Sequence, residues 1–84
     1  MKILDEYNIN KLSKILYKTN VMPTGNSQSF IELSKKLILA YHKGYDLNKV
    51  KRVLSSELIV NYGLTVNDDE VEAITTIVDT WYSK

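Results

Sequence analysis

Apolar residues recur every three to four positions along most of this chain, the period of helices that bury one face. Ile9, Leu12, Ile15 and Leu16 carry the pattern first and predict a helix over Asn8–Lys18, with Asn8 as its N-cap. Residues 3–7 are placed to add a preceding turn through Leu4 and Tyr7. The stretch from Met22 to Ser27 holds the sole proline and one of three glycines, so the longest loop is expected there.

A second helix is expected to open on the capping box Ser29-Phe-Ile-Glu32, in which serine and glutamate would satisfy each other's backbone amides. Phe30, Leu33, Leu37, Ala40 and Tyr41 trace its apolar face. Lys43 complements the dipole at its end, and Gly44 supplies the left-handed residue that stops it. Asp46 caps a third helix at once, with Tyr45 set to staple onto Val50. Leu47, Val50, Val53, Leu54 and Leu58 give this helix its apolar face, and Gly63 ends it. The connection is so short that helices two and three are expected to form an antiparallel hairpin. Asn67-Asp-Asp-Glu70 opens the fourth helix as a further cap with an acid at its third position, Val66 and Val71 forming the staple. Its predicted stripe is Val71, Ile74, Ile77, Val78, Trp81 and Tyr82. No hairpin signal, repeat or low-complexity tract interrupts this reading. The predicted fold is all-α, an antiparallel four-helix bundle forming a single domain over residues 1–84.

Composition narrows how such a bundle is held together. With 84 residues the chain is near the lower size for one hydrophobic core. It has no cysteine and one histidine, His42, which excludes disulfides, thiolate zinc sites and multi-histidine sites. No cofactor is expected. Six tyrosines and a tryptophan are many for so thin a core, and a symmetric homodimer would take up the surplus. Acidic residues interrupt the start of the chain where a signal peptide needs an apolar run, and no apolar segment reaches a membrane-spanning length. The expected location is the cytoplasm.

The formal net charge of +1 conceals a division. Residues 1–52 carry ten bases and four acids, and residues 53–84 carry one base and six acids. The simplest account is that the two halves face each other within the bundle.

Catalysis finds little to work with. His42 lies at the end of helix two, where it reads as a solvated helix-end residue and not a general base. Asp68, Asp69 and Glu70 are explained by capping, and the glycines are scattered singly instead of forming a phosphate loop. The chain is therefore read as a binding protein and not an enzyme. Two surfaces are candidates. Lys43, Lys49, Lys51 and Arg52 crowd the turn between helices two and three, with Tyr41, His42 and Tyr45 nearby, a basic tip that could grip a nucleic acid or an acidic partner. The other is the aromatic end, Trp81-Tyr82, which either seals the bundle or anchors a partner. A helix-turn-helix over Leu58–Ile74 fails, because its recognition helix would meet phosphates with Asp68, Asp69 and Glu70.

Leu33, Leu37 and Ala40, then Lys43-Gly44 and Asp46 in the turn, then Val50, Leu54 and Leu58 and a helix led by acids make residues 30–82 resemble the bacteriocin immunity proteins of lactic acid bacteria. The resemblance implies an antiparallel four-helix bundle without catalytic residues that protects a producing cell from its own antimicrobial peptide. It implies action at the cytoplasmic side of the membrane, on the complex of bacteriocin with a mannose-transport permease, with specificity set by the C-terminal half. The corresponding partner-binding residues here are Asp68, Asp69, Glu70, Trp81 and Tyr82. The rival readings are a phage- or plasmid-encoded regulator or inhibitor of a host or phage protein, and nucleic-acid binding through the basic tip.

Overall fold

Asp5, not Asn8, begins the first helix. The computed structural model describes residues 3–19 and 27–84, and in it α1 runs over Glu6–Lys18. Asp5 has extended backbone, and its Oδ1 accepts the Asn8 N–H at 2.8 Å. A carboxylate also suits the positive end of the helix dipole. Asn8 thereby becomes the third helical residue; it is buried, and its side-chain amide donates to the Ile3 carbonyl at 2.9 Å.

The capping box expected at Ser29 does not form. Ser27–Phe30 is a 3₁₀ turn running directly into α2, Ile31–His42, whose N-cap is Phe30 with no side-chain cap bond. A capping serine needs extended backbone, whereas Ser29 already lies within the turn. Glu32 pairs with Lys35 at 3.3 Å on the surface instead. The loop expected over 22–27 lies, apart from Ser27, outside the described residues.

The next turn follows its sequence closely. Gly44 takes φ +82°, the Tyr45 N–H reaches the Ala40 carbonyl at 3.1 Å, and the Gly44 N–H reaches that of Tyr41 at 3.0 Å, which together make a Schellman end. Asp46 accepts the Lys49 N–H at 2.9 Å and opens α3, Leu47–Ser56. This helix continues into a π turn over Glu57–Asn61, closed by the Tyr62 N–H on the Glu57 carbonyl at 3.2 Å. Gly63, at φ +65°, then reverses the chain. α4 spans Asp68–Ser83 behind a complete capping box: Asn67 accepts the Glu70 N–H at 2.8 Å, and Glu70 accepts the Asn67 N–H at 3.3 Å.

Each helix packs on its neighbours in the chain, and α4 returns to α1, so a four-helix bundle results. Its core is built from Leu12 and Leu16, Phe30, Leu33, Leu37 and Ile38, Val50, Leu54 and Leu58, and Val71, Ile74 and Val78. Ile9, Tyr41, Val53 and Trp81 pack partly buried against it, while three other residues assigned to buried stripes are outside: Leu47 is 49% and Ile77 45% exposed, and Ile15 is half-buried. Leu47 stands at the first position of α3. On α4 the buried face is Val71, Ile74, Thr75, Val78 and Tyr82, and Ile77 points about 100° away from Val78. Thr75 occupies the buried position, its hydroxyl donating to the Val71 carbonyl at 2.7 Å.

Where α1 meets α2, two buried serines touch. Ser13 and Ser34 Oγ are 2.9 Å apart, and the Ser13 hydroxyl also lies 2.8 Å from the Ile9 carbonyl. Ser13→Ala leaves Ser34 without this partner and is expected to lower stability by about 1–2 kcal/mol. Ser34→Leu must force the helices apart, at a cost of about 1–3 kcal/mol. The midpoints of urea unfolding measure both; an unchanged midpoint for Ser34→Leu would show that the crossing has spare room.

Candidate binding surfaces

The basic tip is divided by the helix that carries most of it. Lys51 points toward α4 and pairs with Asp68 at 3.1 Å. Arg52 shares a hollow of about 280 Å³ with that pair, Asn48 and Ser55. Lys49 lies on another side of α3, its ammonium 5.5 Å from the centre of the Tyr45 ring. Lys43 and Tyr45 line a smaller hollow of about 190 Å³ between α2 and α3 with Lys36, Leu39 and Val53. Lys49 and Lys51, two positions apart at about 100° each, lie on nearly opposite sides of α3, and Lys43 ends α2, so the four bases do not form one cationic patch.

The acidic and aromatic residues of α4 separate for a different reason. Asp68, Asp69 and Glu70 are exposed at the first turn of the helix and Trp81 is near its last, about 20 Å away at 1.5 Å per residue. Glu70 is engaged in the capping box and Asp68 with Lys51. Tyr82 is 7% exposed and belongs to the core, so of the aromatic pair only Trp81 contributes to the surface. The expected five-residue partner site is thus not one surface.

Tyr82 closes the bundle by stacking on Tyr41, with ring centres 4.1 Å apart and planes 11° from parallel. The Tyr41 hydroxyl donates to Asp79 at 3.0 Å, tying α2 to α4. Burial, then this bond and the Asp79 charge, push the Tyr41 phenol well above its ordinary pKa, and burial raises that of Tyr82. At the opposite side Phe30 stacks on Tyr62 at 5.5 Å, and the Tyr62 hydroxyl donates to the Ser29 carbonyl at 2.7 Å. Glu57 lies on the π turn, where burial acts to raise its pKa. Hydrogen bonds from Lys36 at 2.6 Å and Asn61 at 2.8 Å, with the Lys36 charge, outweigh that and hold the carboxyl below its ordinary range. Lys36–Glu57 and Lys51–Asp68 each join the basic to the acidic half, so part of the charge division is satisfied within the bundle.

A third surface emerges only when α1 and α4 are brought together. Tyr7, Lys11, Lys14 and Lys18 recur at helical spacing on one side of α1 and, with Ile15 and Trp81, line a hollow of about 340 Å³. An adjoining hollow of about 370 Å³ shares Ile15 and Trp81 and adds Thr76, Ile77, Thr80 and Lys84. Neither lining includes an acid. Among the described residues, ion pairs form at Lys35, Lys36 and Lys51, and none involves Lys11, Lys14 or Lys18. Lys11 lies 5.9 Å over the Tyr7 ring. The signal for this face was present in the 7, 11, 14, 18 spacing; its other wall comes from residues more than sixty positions away, which periodicity cannot connect.

Among the described residues, no three His, Cys, Asp or Glu side chains gather in a metal-binding group, and no helix is long and apolar enough to cross a membrane. No family model, curated protein or solved structure matches this chain.

Proposed function

We propose that the chain is a non-catalytic binding protein whose recognition surface is the α1/α4 face, and that it acts in an immunity-like role, protecting its cell from an antimicrobial peptide by engaging a protein complex at the membrane's cytoplasmic side. The observation that carries the binding reading is the composition of that face. Ile15, Ile77 and Trp81 line it beside Lys11, Lys14, Lys18 and Lys84, with no acid between them. Lysines without acids among them, beside partly exposed apolar side chains, suit a complementary partner, because opposite charge steers the encounter and apolar contact holds it. The cellular role rests on the resemblance over residues 30–82, in which the C-terminal half sets specificity; Trp81 and Ile77 belong to that half.

Expression in a sensitive strain tests the role. Survival against the bacteriocin encoded beside the gene should rise, and Lys11→Gln/Lys14→Gln/Lys18→Gln should abolish the gain while leaving the melting temperature within a few degrees. Absence of protection by the unaltered chain would remove the immunity reading. In the regulator reading, the same face would instead capture one soluble host or phage protein. Nucleic-acid binding through the basic tip is less favoured, since Asp68 already occupies Lys51.

A further inference from the structure

We infer that the α1/α4 groove takes an amphipathic helix with acidic flanks, about three turns long, presented by a protein partner. This rests on the reading of that face as the recognition surface and adds the chemistry of the ligand.

The inference comes from the arrangement of apolar and cationic residues. Ile15 and Trp81 are half-buried and common to both hollows, so the floor is apolar at its middle and is extended by Ile77, with Thr76 and Thr80 beside it. A helix laid along such a floor presents apolar residues at i, i+3, i+4 and i+7. Lys11, Lys14 and Lys18 follow one side of α1 as a row, and Lys84 stands at the end of α4. Acids flanking the apolar stripe of the ligand would meet these cations. From Tyr7 to Lys18 the face extends about 16 Å at 1.5 Å per residue, the length of three helical turns.

The same features fit other anionic ligands less well. Entry into a lipid surface needs apolar side chains that project beyond the cations, whereas Ile15 and Trp81 lie within a hollow. Single-stranded nucleic acid needs ring faces for successive bases. Here Lys11 lies over Tyr7, and Trp81 lies against Tyr82 with ring centres 6.5 Å apart.

Trp81 is the sole tryptophan and reports directly on the groove. The probe is a synthetic helical peptide with leucine at i, i+3, i+4 and i+7 and glutamate on both flanks, titrated against the full chain while its emission is followed. The expected result is saturable binding, weakened at least tenfold by Lys11→Gln/Lys14→Gln/Lys18→Gln and by Ile77→Glu, and also by replacing the peptide's glutamates with glutamine. Lys49→Gln/Arg52→Gln should leave it unchanged. The inference is overturned by no peptide binding, by binding indifferent to the groove variants, or by a preference for phosphatidylglycerol vesicles or oligo-dT over the peptide. Circular dichroism melting separates lost binding from lost folding. If the groove variants lose protection in cells but the peptide does not bind, the helix assignment alone falls; if they protect like the unaltered chain, the reading of this face falls with it.

Discussion

Phe30→Ala is expected to lower the unfolding free energy by about 3–5 kcal/mol, the range for deleting a buried aromatic and leaving a cavity. A domain of this size has only about 4–13 kcal/mol in total, so the variant should be partly unfolded at 37 °C. Phe30 is 1% exposed, stands between the 3₁₀ turn and α2, and stacks on Tyr62 from the end of α3. Its removal loosens the entry to α2 and the exit from α3 together. Ser29→Ala is the matched control and should change stability by less than about 0.5 kcal/mol, because no cap bond is lost. Urea unfolding followed by circular dichroism measures both; a larger loss at Ser29 than at Phe30 would mean that capping, not burial, orders this segment.

The second large effect is a pair of opposite signs at Tyr82. Among the described residues its buried hydroxyl has no hydrogen-bond partner, while its ring stacks on Tyr41. Burying an unpaired hydroxyl costs about 1–3 kcal/mol. Tyr82→Phe keeps the ring and removes that cost, so stability should rise by about 1 kcal/mol. Tyr82→Ala removes the ring as well and should lower stability by about 3–5 kcal/mol. The difference in denaturation midpoints between the two variants is the measurement. A destabilised Tyr82→Phe would reveal a hydrogen bond at the hydroxyl and reverse the sign of the argument.

Trp81 and Tyr82 show how far the linear pattern reaches. Both fall at helical spacing on one apolar stripe, so both were legible as bundle-end aromatics. They point about 100° apart, and only the position of α2 decides that Tyr82 meets Tyr41 while Trp81 faces α1. The same geometry divides the basic tip. Lys43, Lys49, Lys51 and Arg52 are close in sequence, but Lys43 ends α2, α3 turns Lys49 and Lys51 to different sides, and Asp68 meets Lys51. The face on α1 is the converse case. Tyr7, Lys11, Lys14 and Lys18 look like an ordinary solvated helix side until α4 sets Ile77 and Trp81 beside them.

Capping signals divide along similar lines. Asp46, Gly44 and the Asn67–Glu70 box act within a few residues of themselves, and each forms as its local chemistry requires. The Ser29 box fails because burial of Phe30 and the Tyr62 bond to the Ser29 carbonyl hold that segment in a 3₁₀ turn. A tertiary contact worth several kcal/mol outweighs a cap worth about one.

The order of short-range interactions along the chain therefore determined the four helices, two of their turns and most of the core, since periodicity and capping need only neighbours three or four residues apart. Tertiary packing decided the rest: which apolar residues stay outside, that Ser13 meets Ser34, that Tyr82 meets Tyr41, and that lysines of α1 share a groove with the end of α4. Those relations depend on the angles at which distant helices meet, and these are set by how side chains from separate segments fill the same volume.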